Sequence, residues 1–253
     1  VYTAGDFTMY GGSITGNTAK GQHYQNDYIG GGGVFVVGGS GSGATFTMKG
    51  GTISDNTVYG AGGGVYVEKY TGSFVMENGT ISGNRAAVED SKSYYAGEGG
   101  GVFADNCSFT MQNGSITGNS AVNGGGVYVY GKFTMSGGTI GGTGANAANT
   151  ASGDGGGVYV HSNTPGGYCR MSGNVQVIGN RKTDGTANNY YGRVIEIDTN
   201  GLGDNAKIGV NMGNSWPTDT YGTRIAYKNA KGSDAVKFTS DRDGYEVKYN
   251  ESG

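Results

Sequence analysis

Two short phrases of apolar and polar residues alternate along most of the chain. The first phrase reads Phe-Thr-Met-x-Gly-Gly-Ser-Ile-Thr-Gly-Asn in its copy at residues 7–17. Single polar residues separate Phe from Met, an alternation typical of strands with one buried face. Further copies begin at Phe46, Phe74, Phe109 and Phe133, and a divergent sixth copy begins at Cys169. We expect Phe, Met and Ile to point inward and Thr outward.

The second phrase is a glycine run followed by Val-aromatic-Val, and it lies between copies of the first. Its copies occupy residues 31–36, 62–67, 99–104, 124–129 and 155–160. Alternation predicts that the valine positions point inward and the aromatic position outward. The resulting outward column contains Phe35, Tyr66, Phe103, Tyr128 and Tyr159. Residues 195–197, Ile-Glu-Ile, fit the same phrase with Glu196 at the aromatic position.

The shortest period, from Met111 to Met135, is 24 residues. This length accommodates three short strands and three turns, which is one coil of a parallel β-helix. We therefore predict an all-β fold, a right-handed parallel β-helix with three short strands per coil and about six repeat coils. The repeat-bearing coils are expected over residues 1–198. Divergent terminal coils and a C-terminal cap of the same domain are expected over residues 199–253.

Asparagines end the first phrase and should occupy one turn position in successive coils. These residues are Asn17, Asn56, Asn84, Asn119 and Asn180. Stacked amides in parallel coils form hydrogen-bonded ladders. The fifth copy has Thr143 at this spacing, so we expect the ladder to break there.

The coils differ in length mainly between this asparagine and the glycine run. Long insertions occupy residues 18–30, 85–98, 143–154 and 181–191, whereas the segments 57–61 and 120–123 are short. Equivalent positions of stacked coils lie on one side of a solenoid, and insertions on one face often mark a binding surface. Acidic and amide residues, including Glu98, Asp154 and Asn188, accompany tyrosines in these segments.

The aromatic residues on this side are our candidate ligand-binding residues. The set comprises Tyr24, Tyr28, Tyr59, Tyr94, Tyr95, Tyr190 and Tyr191 from the insertions, with Tyr66, Phe103, Tyr128 and Tyr159 from the column. Tyrosine combined with Asn, Ser and Gly is typical of adaptable recognition loops. Two structural alternatives remain open: the tyrosines pack the insertions onto the coil walls, and the insertions cover the column.

Composition narrows the class of protein. The chain has 55 glycines but only 2 prolines, which excludes collagen, and its 19 tyrosines and regularly spaced apolar residues argue against disorder. A formal net charge of -3 disfavours nucleic-acid binding. Apolar runs fall well short of the roughly 20 residues of a membrane span. Cys107 and Cys169 lie two coils apart and are expected to be free thiols.

Residues with catalytic or metal-binding chemistry are sparse. His23 and His161 are the two histidines, so a zinc site is not expected. Arg170, Glu196 and His161 fall in the last repeat coils but match no known catalytic arrangement. We predict no catalytic residues, no metal and no cofactor, and we favour a binding function over an enzymatic one.

The alternation of these two phrases resembles the right-handed β-helix regions of large bacterial surface proteins described as adhesin-like. It is similar, more distantly, to polymorphic outer-membrane protein repeats and to the pectin-lyase-like superfamily, over residues 5–198. The resemblance implies a secreted or cell-surface scaffold, a monomeric module of a larger protein that binds a glycan or a host or cell-wall protein. It implies neither nucleic-acid binding nor membrane insertion. A polysaccharide-active lyase or glycoside hydrolase and a passive structural stalk remain alternatives.

Overall fold

The computed structural model of the chain is a parallel β-helix, which confirms the predicted fold class. Strands contain 52% of the described residues and helix 3%. The structure describes residues 1–20, 30–37, 43–68, 72–88, 97–161, 167–192, 195–211, 226–228, 231–241 and 247.

The first sheet combines the strands of both phrases. Strands of the glycine phrase are Tyr2–Thr3, Val34–Val36, Val65–Val67, Val158–Val160 and Tyr190–Gly192. Strands of the Phe-Thr-Met phrase are Phe7–Met9, Thr45–Met48, Ser73–Met76, Tyr168–Gly173, Ile195–Leu202 and Ala226–Lys228. Val102–Met111 and Val127–Met135 each span both phrases, and their pairing shifts register between Asp105 and Ser108. All these strands pair in parallel, for example with Phe74 opposite Phe46.

Two further parallel sheets complete the solenoid. The second sheet consists of Ser13–Thr15, Thr52–Ser54, Thr80–Ser82, Ser115–Thr117, Thr139–Gly141, Gln176–Ile178, Lys207–Val210 and Phe238–Ser240. The third sheet consists of Thr18–Ala19, Thr57–Val58, Arg85–Ala86, Ser120–Ala121, Thr150–Ala151 and Arg181–Lys182. A 3-10 helix, Gly232–Lys237, precedes the last strand of the second sheet. The domain boundary at residue 198 stays a prediction.

The core consists of stacked columns of like side chains. Phe46, Met48 and Ile53 have no exposed surface, and their equivalents in the neighbouring coils pack directly against them. The rings of Phe46 and Phe74 stack with centroids 4.8 Å apart and planes 5° from parallel. The predicted inward positions of Phe, Met, Ile and Val are therefore confirmed for the inner coils.

A continuous amide ladder runs beside this core at the turn after the second sheet. In each inner coil the main-chain N–H and Nδ2 of one asparagine donate to Oδ1 of the next, at 2.9 and 3.0 Å from Asn84 to Asn119. The ladder members are Asn17, Asn56, Asn84, Asn119, Asn149, Asn180 and Asn189. The carboxylate of Asp241 ends the column by accepting two hydrogen bonds from Asn189.

The predicted break at Thr143 is wrong. Residues 143–147 form a bend and turn, and Asn146 there has a positive φ of 63°. This local excursion lets the chain return with Asn149 at the ladder position, where Asn149 donates to Asn180 at 2.9 Å. The fifth asparagine is therefore displaced along the sequence but not in space.

The placement of residues 195–197 at the aromatic phrase is also wrong. Residues 195–197 pair with residues 169–171. Glu196 therefore lies next to Arg170 at the position that an outward threonine occupies in other copies of the first phrase. The Arg170 guanidinium donates to Oε2 of Glu196 at 3.0 Å. Ile195 and Ile197 are buried, so the predicted alternation of inward and outward side chains is confirmed. The three residues belong to the first phrase, however, and not to the second.

Both cysteines are free, as predicted. Cys169 occupies the inward Phe position, opposite Phe133, and has no exposed surface. Burial raises the pKa of the Cys169 thiol to about 12. Burial likewise raises the pKa of the Cys107 thiol, with the nearby charge of Asp105 adding to the effect. Both groups are therefore poor nucleophiles at neutral pH.

Candidate binding site on the insertion-loop edge

The insertion-loop edge is the corner where each coil passes from the third sheet through the glycine run into the first sheet. Main-chain hydrogen bonds stack the glycine runs directly on one another, as from Gly99 to Asn123 and from Gly124 to Asp154, both 3.0 Å. A Cβ on Gly100 would collide with the carbonyl oxygen of Gly125. Glycine is therefore required for this close approach. Because the glycine runs stack directly on one another, the residues that precede them also lie in a straight row.

The aromatic column lies along this edge, outside the tube. Successive members, beginning with Tyr2 and ending with Tyr191, have ring centroids 4.8 to 5.6 Å apart. Ala61, Tyr66, Phe103 and Tyr128 form an apolar cluster separate from the main core. The rings point outward as predicted, and the pairs Phe35–Tyr66, Tyr128–Tyr159 and Tyr159–Tyr191 stack face to face.

The middle of the column is covered. Tyr66 and Phe103 have no exposed surface, and Tyr128 is 6% exposed. The main chain at Gly30 lies so close to Tyr66 that a Cβ would overlap the ring. The alternative that the column is covered therefore holds for these three candidate residues. Tyr159 and Tyr191, farther along the column, are only partly buried.

The tyrosines predicted to lie in the insertions differ in their structural environments. Tyr24, Tyr28, Tyr94 and Tyr95 lie outside the described residues. Tyr59 is partly buried, and the Lys20 ammonium lies 4.4 Å from its ring centroid. Tyr190 is not a loop residue but a core residue, 1% exposed, because residues 190–192 pair with Val158–Val160 as a strand. By the same register Tyr191 continues the aromatic column beyond Tyr159.

A polar row accompanies the partly exposed end of the column. We define it as Glu98, Asn123 and Asp154, the residues before three consecutive glycine runs. Nδ2 of Asn123 donates to Oε1 of Glu98 at 3.2 Å, and the main-chain N–H of Asp154 donates to Oδ1 of Asn123 at 2.8 Å. Lys182 Nζ lies 2.8 Å from Oδ1 of Asp154, and Nδ2 of Asn188 donates to the same oxygen at 3.5 Å.

The polar row and the tyrosines share one electrostatic environment. Burial raises the pKa of Glu98 to about 7, against the opposing hydrogen bond from Asn123. Oε2 of Glu98 is buried and has no hydrogen-bond partner among the described residues. Burial also raises the pKa of Tyr159, with Tyr191, Glu98 and Asp154 contributing further. The charges of Glu98 and Asp154 therefore influence the ionisation of Tyr159.

Sequence reasoning noted Glu98, Asp154 and Asn188 as companions of the tyrosines but missed Lys182 and Asn123. Lys182 is distant from the glycine phrase in sequence and reaches Asp154 only through the stacking of coils. Asn123 could have been found, because it immediately precedes a glycine run, as Glu98 and Asp154 do.

Of the three residues with catalytic chemistry, Arg170 and Glu196 contact each other directly. Their ion pair lies at the outward threonine position of the first phrase, and the His161 ring packs against Tyr130 with ring centroids 4.5 Å apart and planes tilted by 40°. Within the described part of the chain, no group of three or more His, Cys, Asp or Glu could hold a metal ion. No helix there is both long and apolar enough to cross a membrane.

The chain matches no protein-family model, no curated protein and no solved structure. Phenol hydroxyls, one ammonium, amides and carboxyl groups lie side by side at the partly exposed end of the column. Such a mixture of donors and acceptors can hydrogen-bond a polar ligand at several points.

Proposed function

We propose that the chain is an adhesin-like binding scaffold of a bacterial surface or secreted protein, recognising a glycan through the insertion-loop edge. The observation that carries the proposal is the partly exposed group of Tyr159, Tyr191, Asp154 and Lys182, where the insertions leave the solenoid. Ligand sites of this kind combine aromatic surface with a few fixed polar groups. The rigid stack of coils holds these groups at a fixed spacing, which lowers the entropic cost of binding.

Hydrogen bonding dominates the recognition that we propose. The ring faces of Tyr159 pack against Tyr128 and Tyr191, at 4.8 and 5.1 Å between centroids. At Tyr159 a sugar therefore meets the ring edge and the phenol hydroxyl, not an open aromatic face. Asp154 and Lys182, with side chains 34% and 30% exposed, offer an acceptor and a donor to sugar hydroxyls.

The test is binding of the purified chain to a broad array of microbial and host glycans. We expect a glycan that binds the native chain to lose affinity with Asp154→Asn and with Tyr191→Phe, because each removes a hydrogen-bonding function with little change in shape. Tyr10→Ala is the matched control, since Tyr10 is 76% exposed outside this edge. No bound glycan, or a glycan insensitive to both edge variants, would contradict the proposal.

A glycoside hydrolase is the second candidate, favoured by one observation. Glu98 has the raised pKa expected of a general acid, and Asp154 follows two coils later in the same row, roughly 10 Å away at the usual strand spacing. Inverting glycosidases place their carboxyl groups about 6.5–9.5 Å apart. Binding is preferred because Oε2 of Glu98 is buried. Release of reducing ends from a polysaccharide, lost with Glu98→Gln, would reverse that preference.

A further inference from the structure

Four Asn-Gly dipeptides occur in the chain, and the structure places three of them in turns between sheets. Asn78–Gly79 and Asn113–Gly114 join the first sheet to the second in adjacent coils, and Asn123–Gly124 lies on the insertion-loop edge. The fourth, Asn200–Gly201, lies within the strand Ile195–Leu202. The three turn dipeptides have the same covalent chemistry but differ in their hydrogen bonds.

The first two dipeptides are open to intramolecular reaction. Asn78 and Asn113 are exposed, and the following glycines have φ values of 113° and 95°. Among the described residues, no acceptor takes the N–H of Gly79 or Gly114, and no hydrogen-bond partner holds the side chain of Asn78 or Asn113. The glycine nitrogen and the neighbouring side-chain amide are therefore both unrestrained.

Asn123–Gly124 is restrained at each reacting group. The N–H of Gly124 donates to the Asp154 carbonyl oxygen at 3.0 Å. Oδ1 of Asn123 accepts from the Asp154 main-chain N–H at 2.8 Å, and Nδ2 donates to Glu98 at 3.2 Å. Attack by the glycine nitrogen on Cγ of Asn123 would require these bonds to break together.

We propose that Asn78 and Asn113 are sites of spontaneous deamidation to aspartate and isoaspartate, and that the fold protects Asn123. The deprotonated nitrogen of the following glycine attacks Cγ of the asparagine, the Cγ–Nδ2 bond breaks, and ammonia leaves a succinimide. Water then adds to one of the two ring carbonyls and opens the ring. Isoaspartate lengthens the main chain of the turn, which carries the hydrogen bond from Ser115 N–H to Gly79 O at 2.9 Å.

The experiment is prolonged incubation of the folded chain at neutral pH and physiological temperature, followed by peptide mapping with detection of isoaspartate. We expect Asn78 and Asn113 to react about tenfold faster than Asn123 or more, which corresponds to roughly 1.4 kcal/mol of protection. In denaturant, the three dipeptides should react at similar rates, because the restraints are then absent.

Two variants sharpen this test. Glu98→Ala removes one of the three restraints on Asn123 and should accelerate its deamidation, while leaving Asn78 and Asn113 unchanged. Asn78→Ser should abolish isoaspartate at that turn alone. Equal rates at Asn78, Asn113 and Asn123 in the folded chain would overturn the proposal, as would intact Asn78 and Asn113 after Asn123 has reacted.

Discussion

Two columns of amide and carboxyl groups run along the solenoid, and they differ in how completely their hydrogen bonds are formed. In the ladder, Asn119 has no exposed surface and both its main-chain N–H and its side chain are bonded. In the polar row, Asn123 is partly exposed and Oε2 of Glu98 lacks a partner among the described residues. The same residue types at the same coil spacing thus stabilise the fold at one corner and leave bonding capacity for a ligand at another.

The difference has a physical cause. A buried polar network stabilises a fold only when each member is satisfied, because an unpaired donor or acceptor in a low dielectric is costly. The ladder meets this condition beside the core. At the insertion-loop edge, partial exposure lets water or a ligand complete the bonding of Asn123. The buried carboxyl of Glu98 is tolerated there for another reason, because its raised pKa favours the neutral, protonated form.

The largest effect is expected from Asn119→Ala in the ladder. The substitution removes the acceptor for the N–H and Nδ2 of Asn84, both buried. Two unsatisfied donors at about 1–3 kcal/mol each predict a loss of roughly 2–6 kcal/mol in the free energy of unfolding. Urea denaturation measures it. Asn123→Ala is the paired control and should cost about 1 kcal/mol, and equal losses would remove the distinction between the columns.

An intermediate effect, dependent on pH, is expected from Glu98→Gln. The carboxyl pKa is raised from 4.5 to about 7 in the folded chain, so the folded state keeps a proton that the unfolded state has released over this range. The native chain should therefore lose stability relative to the variant as pH rises from about 4.5 to 7, by up to about 3 kcal/mol. Unfolding curves of both proteins across this range test it, and parallel pH profiles would show that Glu98 does not titrate as described.

The smallest effect on stability is expected from Lys182→Ala. Its ion pair with Asp154 is partly exposed, with 30% and 34% of the two side chains accessible. Such pairs contribute roughly 0–1 kcal/mol. The melting temperature should therefore stay close to that of the native chain while affinity for a bound glycan falls. A large loss of stability would show that this ion pair stabilises the fold, as the asparagine ladder does.

The fold could be predicted because its period leaves little freedom. Once Phe, Met, Ile and Val recur in register, alternation determines which side chains enter the tube. Asn149 was missed because it stands six residues beyond Thr143, and counting along the sequence does not reveal that residues 143–147 turn away and return. Tyr190 was misplaced because no glycine run precedes it to mark the strand.

The candidate site was only partly predictable. The insertions and their tyrosines indicated the correct edge, since equivalent turns of a solenoid must lie together. Burial of Tyr66 depends on the backbone at Gly30 covering its ring, which residue type does not disclose. The contact between Lys182 and Asp154 crosses coils of different length, so sequence spacing gives no measure of it.

The ladder also gives the solenoid a direction. Each asparagine donates toward the next coil, so the amide dipoles of the column point the same way and add, as peptide dipoles do along a helix. The positive end of the summed amide dipole faces the carboxylate of Asp241, and its negative end is Oδ1 of Asn17. The two ends therefore have opposite polarity. An anionic group suits only the end at Asp241, and a donor or cation suits only the end at Asn17.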